Sequence, residues 1–387
     1  MIVANKKWVV LGFCLLLQSC GQVDDYLLGK DNTPKPTALA AITPKMNLVE
    51  NWSVPIGKSS KSRMYLKLKP VIHDNVVYTA DASGMVQAID TSSGKALWAN
   101  QLKQGLISGP AVAEGYIALG TNAASIVLLN QSNGHEVWQA KVSGDALSKP
   151  VIANNKVIAK TIDGNLYAFN IKTGEKLWGS NHGAPGLILK ASSSPVVVDK
   201  LALVGFSDGK LDAIDLQSGN LVWQRSIAFA SGSSDVERLV DIDADPIVRG
   251  NIAYLASYQG YIGALSLTDG QFVWRKPAST YKNLAMDANT LYMSDSDDIV
   301  WALDRQNGQV KWKQLALKAR GITEPVLIGN RLIVGDKTGY LHVLSTQNGE
   351  LISRTQLSGP IDIAPAVAGN SVYVMTANGK LNRFSVS

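Results

Sequence analysis

The chain has 387 residues, 46% of them hydrophobic and 18% charged, with a formal net charge of +6. That balance describes a globular rather than a disordered chain. The roughly 340 residues beyond the apolar N-terminus exceed one compact core, so a repeat architecture or several domains is expected. The densest basic run, Lys58, Lys61, Arg63, Lys67 and Lys69, is scattered and reads as a solvated loop; no nucleic-acid partner is expected.

In chain order, Lys6 and Lys7 precede an apolar stretch of about ten residues that ends at Leu17-Gln18-Ser19-Cys20. The stretch is too short to cross a bilayer, which needs roughly 20 apolar residues. It reads as a secretory leader over 1–19. Its last four residues resemble a bacterial lipobox, which implies that Cys20 is lipidated and becomes the mature N-terminus. Gly21 stands where an aspartate would resemble an inner-membrane retention signal, so the resemblance favours the outer membrane, facing the periplasm. Cys14 would leave with the leader, and no free thiol would remain for a disulfide or a nucleophile. Residues 20–47, with Asp31-Asn-Thr-Pro-Lys-Pro-Thr37 and an Ala-rich stretch, read as a flexible tether with a reach of roughly 25–30 Å.

From residue 48 onward one unit recurs. A glycine stands four residues before a tryptophan at Gly94/Trp98, Gly134/Trp138, Gly174/Trp178, Gly219/Trp223, Gly270/Trp274 and Gly308/Trp312, with Trp intervals of 40, 40, 45, 51 and 38. Gly349 keeps the glycine, and Ile352 is expected in the place of the indole. Each unit opens alike, at Pro70, Pro110, Pro150, Pro195, Pro246, Leu284, Pro325 and Pro365, each followed by a short apolar run. Proline is tolerated at the first residue of a strand, where its missing N–H need not pair. From each opening follow four runs of four to seven residues, bounded by Asp, Asn, Ser and Gly, the fourth coming after the closing glycine turn. These are the strands of one antiparallel blade. Periods of 40–50 residues of this kind signal a propeller. Eight openings against seven closing turns leave the last blade a strand short, and Leu48-Val-Glu-Asn-Trp52 is expected to supply it. The fold class is therefore all-β: an eight-bladed propeller over 48–387, closed by its N-terminal strand. The tryptophans are assigned to packing between blades, and Trp301, outside the slot, to packing on an inner strand.

Chemistry is scarce. The repeat resembles the tryptophan-docking repeat of quinone-dependent dehydrogenases, so an enzyme using the propeller funnel is the alternative. That resemblance implies a vicinal disulfide and a calcium site, but there is no Cys-Cys pair here. His73, His135, His182 and His342 are isolated, and Asp295-Ser-Asp297-Asp298 lacks the rest of a calcium loop and reads as a turn. No catalytic residue, metal or cofactor is expected.

Two units are longer than their neighbours, with the surplus at 181–194 and 228–245. Both segments link a blade's outermost strand to the next blade's innermost strand, so both leave by one face and are neighbours around the ring. Insertions confined to one face often build a binding surface. The first carries Gly186-Leu187-Ile188-Leu189-Lys190; the second carries Asp235, Glu237, Arg238, Asp241, Asp243 and Asp245. Two readings stand: the leucines anchor a partner beside a charged rim, or they pack beneath the loop while the aspartates cap turns.

The lipobox, the Pro-rich tether, eight tryptophan-docking blades and Glu237-Arg238-Leu-Val-Asp241-Ile-Asp243 before a Pro-Ile strand resemble the BamB family of outer-membrane protein assembly lipoproteins. The resemblance covers essentially the whole chain and implies a non-enzymatic scaffold of the β-barrel assembly machinery. It implies docking on a periplasmic POTRA domain of the barrel subunit BamA, alongside other subunits of that complex. Nascent outer-membrane proteins could be handed on by edge pairing, and membrane contact is expected through the lipid anchor only. Carried onto this chain, the contacts fall on Leu187, Leu189 and Lys190, with lysine in place of the family's arginine, and on Asp241 and Asp243. The same acidic pattern includes Glu237 and Arg238.

Overall fold

A computed structural model describes residues 34–57, 66–189 and 192–386. All strands among the described residues lie within Thr37–Ser387. They form eight four-stranded antiparallel sheets. Seven are continuous in sequence, spanning 71–101, 106–141, 151–181, 196–226, 247–278, 285–314 and 326–356, and are numbered blades 1 to 7. Blade 8 takes β30 (Ala366–Ala368), β31 (Ser371–Thr376) and β32 (Lys380–Val386) from the C-terminus and β1 (Leu48–Pro55) from the N-terminus. The register runs from Leu48 opposite Val386 to Pro55 opposite Lys380, with a bulge between Glu50 and Trp52. The ring is thus closed as expected, and the edge that β32 would leave free is paired.

Up-and-down pairing fixes two faces. The turns joining first to second and third to fourth strands lie on one face, here the turn face. Second-to-third turns and the connections between blades lie on the other, the connection face. The long segments 182–195 and 227–246 are both of the latter kind and flank blade 4, whose strands are β14 (Val196–Val198), β15 (Leu201–Gly205), β16 (Lys210–Asp215) and β17 (Leu221–Ser226).

Core packing is a ring of seams. Each of the eight apolar clusters combines residues of two adjacent blades; one joins Ile126, Leu128 and Trp138 to Val157 and Phe169. Tryptophan fixes most seams. The indoles of Trp52, Trp98, Trp138, Trp178, Trp274 and Trp312 each donate to a turn carbonyl of the next blade at 2.8–3.1 Å. Each ring also lies against that turn's glycine. At Gly174 (φ 71°) an added Cβ would stand 2.8 Å from Trp138, so bulk and positive φ both demand glycine there. Trp301 lies within blade 6, its N–H on Asp295 and its face under Lys313. Asp295 Oδ1 accepts the N–H groups of Asp297 and Ile299, so the acidic run is a capped turn.

Two expectations change. The seventh slot belongs to Ser353, not Ile352: Ser353 pairs with Val343 as Trp312 pairs with Ala302. Ring closure leaves blade 8 without a third-to-fourth turn, so an indole there would have no glycine to meet. Met46 fills the space instead. It is buried among Ile328, Val343 and Phe384, and its carbonyl accepts the Ser353 hydroxyl. The second change concerns residues 37–47, assigned above to the tether. Thr37 N–H donates to Lys318 O and Arg320 to Thr37 O, Lys45 N–H donates to Ile352 O, and Leu39 and Met46 join core clusters. This stretch is a strap across the outer edge of blade 7. Cys20 lies outside the described residues.

Candidate functional site

The first long connection is pinned at its start. His182 N–H donates to Gly164 O, and its ring stacks on Phe206 with centroids 3.8 Å apart. The two ring nitrogens meet Asp212 at 2.6 Å and Asp208 at 3.1 Å. Burial disfavours the charged ring, but the hydrogen bonds it donates to Asp208 and Asp212 outweigh that and raise the pKa to about 9. His182 is therefore an imidazolium clamped between two carboxylates, a structural role that its isolation in sequence gave no means of seeing.

Beyond the clamp, Leu187 is 46% exposed. Leu189 is half-buried, and its N–H donates to Asp241 Oδ1 at 3.0 Å. Lys190 lies outside the described residues. Ser192, Ser193 and Ser194 are buried, and Ser194 N–H donates to Asp245 Oδ1 at 2.6 Å. Two carboxylates of the second connection thus hold two backbone donors of the first.

The second connection divides in two. Phe229 is 63% exposed, and Val236 is exposed as well on a compact turn. There Glu237 accepts the N–H groups of Ser233 and Ser234 at 2.7 and 3.1 Å, while Arg238 pairs with Asp235. From Leu239 the chain turns inward, and Leu239, Val240, Ile242 and Ala244 are buried. Ile242 crosses Gly205, where a Cβ would stand 2.5 Å from its side chain. That close approach is what requires glycine at the end of β15.

Asp241 and Asp243 are 0% and 1% exposed. They do not form an accessible rim, so the expected direct pairing with a partner's basic groups is corrected. Burial raises the Asp241 pKa to about 6, against the Leu189 N–H, which favours the anion. Burial, then the charge of Asp241, raises that of Asp243, while burial lowers that of its neighbour Lys160. Lys160 Nζ donates to Gly205 O, and Lys67 Nζ donates to Asp243 O and to Asp245 Oδ1 at 3.0 and 2.9 Å. Lys67 precedes blade 1, so this cluster ties the second connection across the centre of the ring. Among the described residues no group of three or more His, Cys, Asp or Glu side chains could hold a metal ion.

The site that emerges is a pair of stapled connections presenting Leu187, Phe229 and Val236, with Asp235, Glu237 and Arg238 beside them. Sequence spacing found both connections, Leu187 and the charged turn. It missed Phe229, although an aromatic residue just before Ser231-Gly-Ser-Ser234 is the available signal, and it missed Asp245 and Lys67 as members of the staple.

A family model described as outer membrane protein assembly factor BamB matches residues 51–314 and 316–387. A protein of that name from Legionella pneumophila (strain Paris) is 60% identical over 379 residues, covering 98% of this chain and 99% of the relative. The Escherichia coli (strain K12) protein of the same name is 33% identical over 358 residues, covering 90% of each. The crystal structure of BamB from Moraxella catarrhalis superposes with a TM-score of 0.80 at 27% identity, covering 88% of this chain and all of that one. A europium-containing methanol dehydrogenase, at 14% identity and a TM-score of 0.73 over 87% and 93% of the two chains, shares the fold alone. With the family model spanning nearly all of the propeller and the Legionella pneumophila and Escherichia coli relatives matching over nine-tenths or more of both chains, the chain belongs to the outer membrane protein assembly factor BamB family.

Proposed function

We propose that this chain is a non-enzymatic scaffold in the assembly of outer-membrane proteins, and that its two long connections dock it on a periplasmic POTRA domain of the barrel subunit BamA. The observation that carries this reading is the pairing of an exposed apolar side chain, Leu187, with a backbone that Asp241 and Asp245 hold rigid. An ordered apolar anchor with a charged surround suits a stable contact, because little side-chain and loop freedom remains to be lost on binding. Leu187 and Leu189 are the anchors, Lys190, Glu237 and Arg238 the polar surround. Asp241 and Asp243 act through the connection rather than by touching the partner. Residues 1–19 are the leader, Cys20 the lipidated anchor on the periplasmic side of the outer membrane, and the residues between Cys20 and the strap the tether. Contacts with other subunits and with nascent barrel strands would use the remaining faces.

The test is co-purification with the periplasmic region of BamA. Leu187→Asp should abolish it and leave the thermal unfolding midpoint unchanged; retained binding rejects the reading. Cys20→Ser should eliminate labelling by palmitate and release the protein from the membrane fraction.

A further inference from the structure

Besides the blade 7–8 seam that Met46 fills, one seam departs from the pattern of the others. Between blades 4 and 5 the dock at Gly270 holds Arg225 rather than an indole: a Cβ on Gly270 would stand 2.5 Å from Arg225 Nε and 2.7 Å from its Cγ. The guanidinium donates to Asp269 O at 2.6 Å and to Gln224 O at 2.8 Å, while its Nε is buried without a partner. Trp223, the tryptophan that should dock here, is half-buried and makes no indole hydrogen bond among the described residues. Its ring lies 6.0 Å from the guanidinium carbon. In every other tryptophan seam the acceptor is the carbonyl three residues before the glycine, which here is Leu267. A cleft of 910 Å³ opens at that point, lined by Val196, Val198, Leu201, Val248, Asn251 and Leu267. Four of these side chains pack on the same core cluster as Trp223.

We infer that Arg225 is a positioning residue: it occupies the indole dock of blade 5, holds the blade 4–5 seam open, and so sets the placement of the connection that follows. Trp223 and Arg225 both lie on β17, which ends at Ser226, and the connection begins at Ile227 and presents Phe229 two residues later. A shift of β17 toward Gly270 therefore moves the base of the surface that carries Phe229 and Val236. The arginine-filled seam leaves the Arg225 Nε buried without an acceptor and forgoes the interblade indole bond that the six tryptophan-filled seams make. A buried donor without an acceptor is costly, and removal of the guanidinium relieves that cost and vacates the dock for the indole. The link to partner binding rests on the docking reading above; the state of the seam does not.

The experiment uses the full chain labelled with 5-fluorotryptophan, with Trp223 assigned through Trp223→Phe. Arg225→Ala should move the Trp223 fluorine resonance toward those of the docked tryptophans and lower its acrylamide accessibility at least twofold. Arg225→Lys, whose aliphatic stem still fills the dock, should leave both at wild-type values. In parallel, affinity for the periplasmic region of BamA should fall threefold or more in Arg225→Ala and stay within twofold in Arg225→Lys. An unchanged Trp223 signal in Arg225→Ala, or the same change in Arg225→Lys, overturns the positioning role. A docked indole with wild-type affinity overturns its link to the connection. If the wild-type protein itself does not bind, the docking reading fails, and the fluorine signal alone decides the seam.

Discussion

Asp241 shows how a single residue can support a contact it never makes. Its Oδ1 accepts the Leu189 N–H from a fully buried position, so Asp241→Ala leaves that backbone donor without its acceptor. A lost buried partner costs roughly 1–3 kcal/mol. The expected result is a lower denaturant midpoint together with weaker partner binding that scarcely varies with salt. A direct ion pair would instead weaken steeply with ionic strength. His182 makes a separate pH prediction. Its folded pKa is raised from 6.5 to about 9, so the clamp's contribution is fully present below pH 6.5 and is lost as pH rises toward 9. Thermal unfolding followed across that range should show a falling midpoint, and His182→Gln should flatten the slope.

At the scale of an element, the seams differ in how firmly they hold. Trp178 is buried, lies against Gly219 and donates to Leu216 O at 3.1 Å. Truncation of such a side chain costs about 3–5 kcal/mol. Trp223→Ala removes a half-buried ring with no interblade bond, and chemical denaturation should show a loss of less than half that of Trp178→Ala. The strap is the other irregular element. A chain starting at residue 48 would expose the pocket of Met46 and remove the acceptor of the Ser353 hydroxyl. Burial of a methionine is worth about 1.5–3 kcal/mol, so this truncation should destabilise measurably without preventing folding, as judged by circular dichroism and calorimetry.

For the whole molecule, closure through β1 makes the ring one cooperative object. Removing 380–387 deletes β32, which pairs with both β1 and β31, and should abolish the folded state rather than trim it. By contrast, joining Val386 to Leu48 by a short turn and opening the chain at the exposed Lys103 should preserve the fold at the stability of the chain that starts at residue 48, because the strap is lost but the blades change only in covalent order. Gel filtration and circular dichroism of both proteins check this pair of outcomes.

The sequence by itself determined the count of blades, the recurring glycine turn and tryptophan of six of them, the closing strand and the face that carries the long connections. All of these are matters of spacing, and spacing along a chain with a two-residue side-chain period survives folding unchanged. Leu187 was legible for the same reason, as an aliphatic residue where a turn would be polar. Only the tertiary structure decided that Asp241 and Asp243 are buried staples, that Ser353 holds the seventh slot beside Met46, that residues 37–47 lie along blade 7, and that Arg225 holds the dock of Trp223. Each of these depends on which remote segment fills a space. Asp241 is acidic in either reading, and only the passage of Ile242 across Gly205 takes its carboxylate out of water.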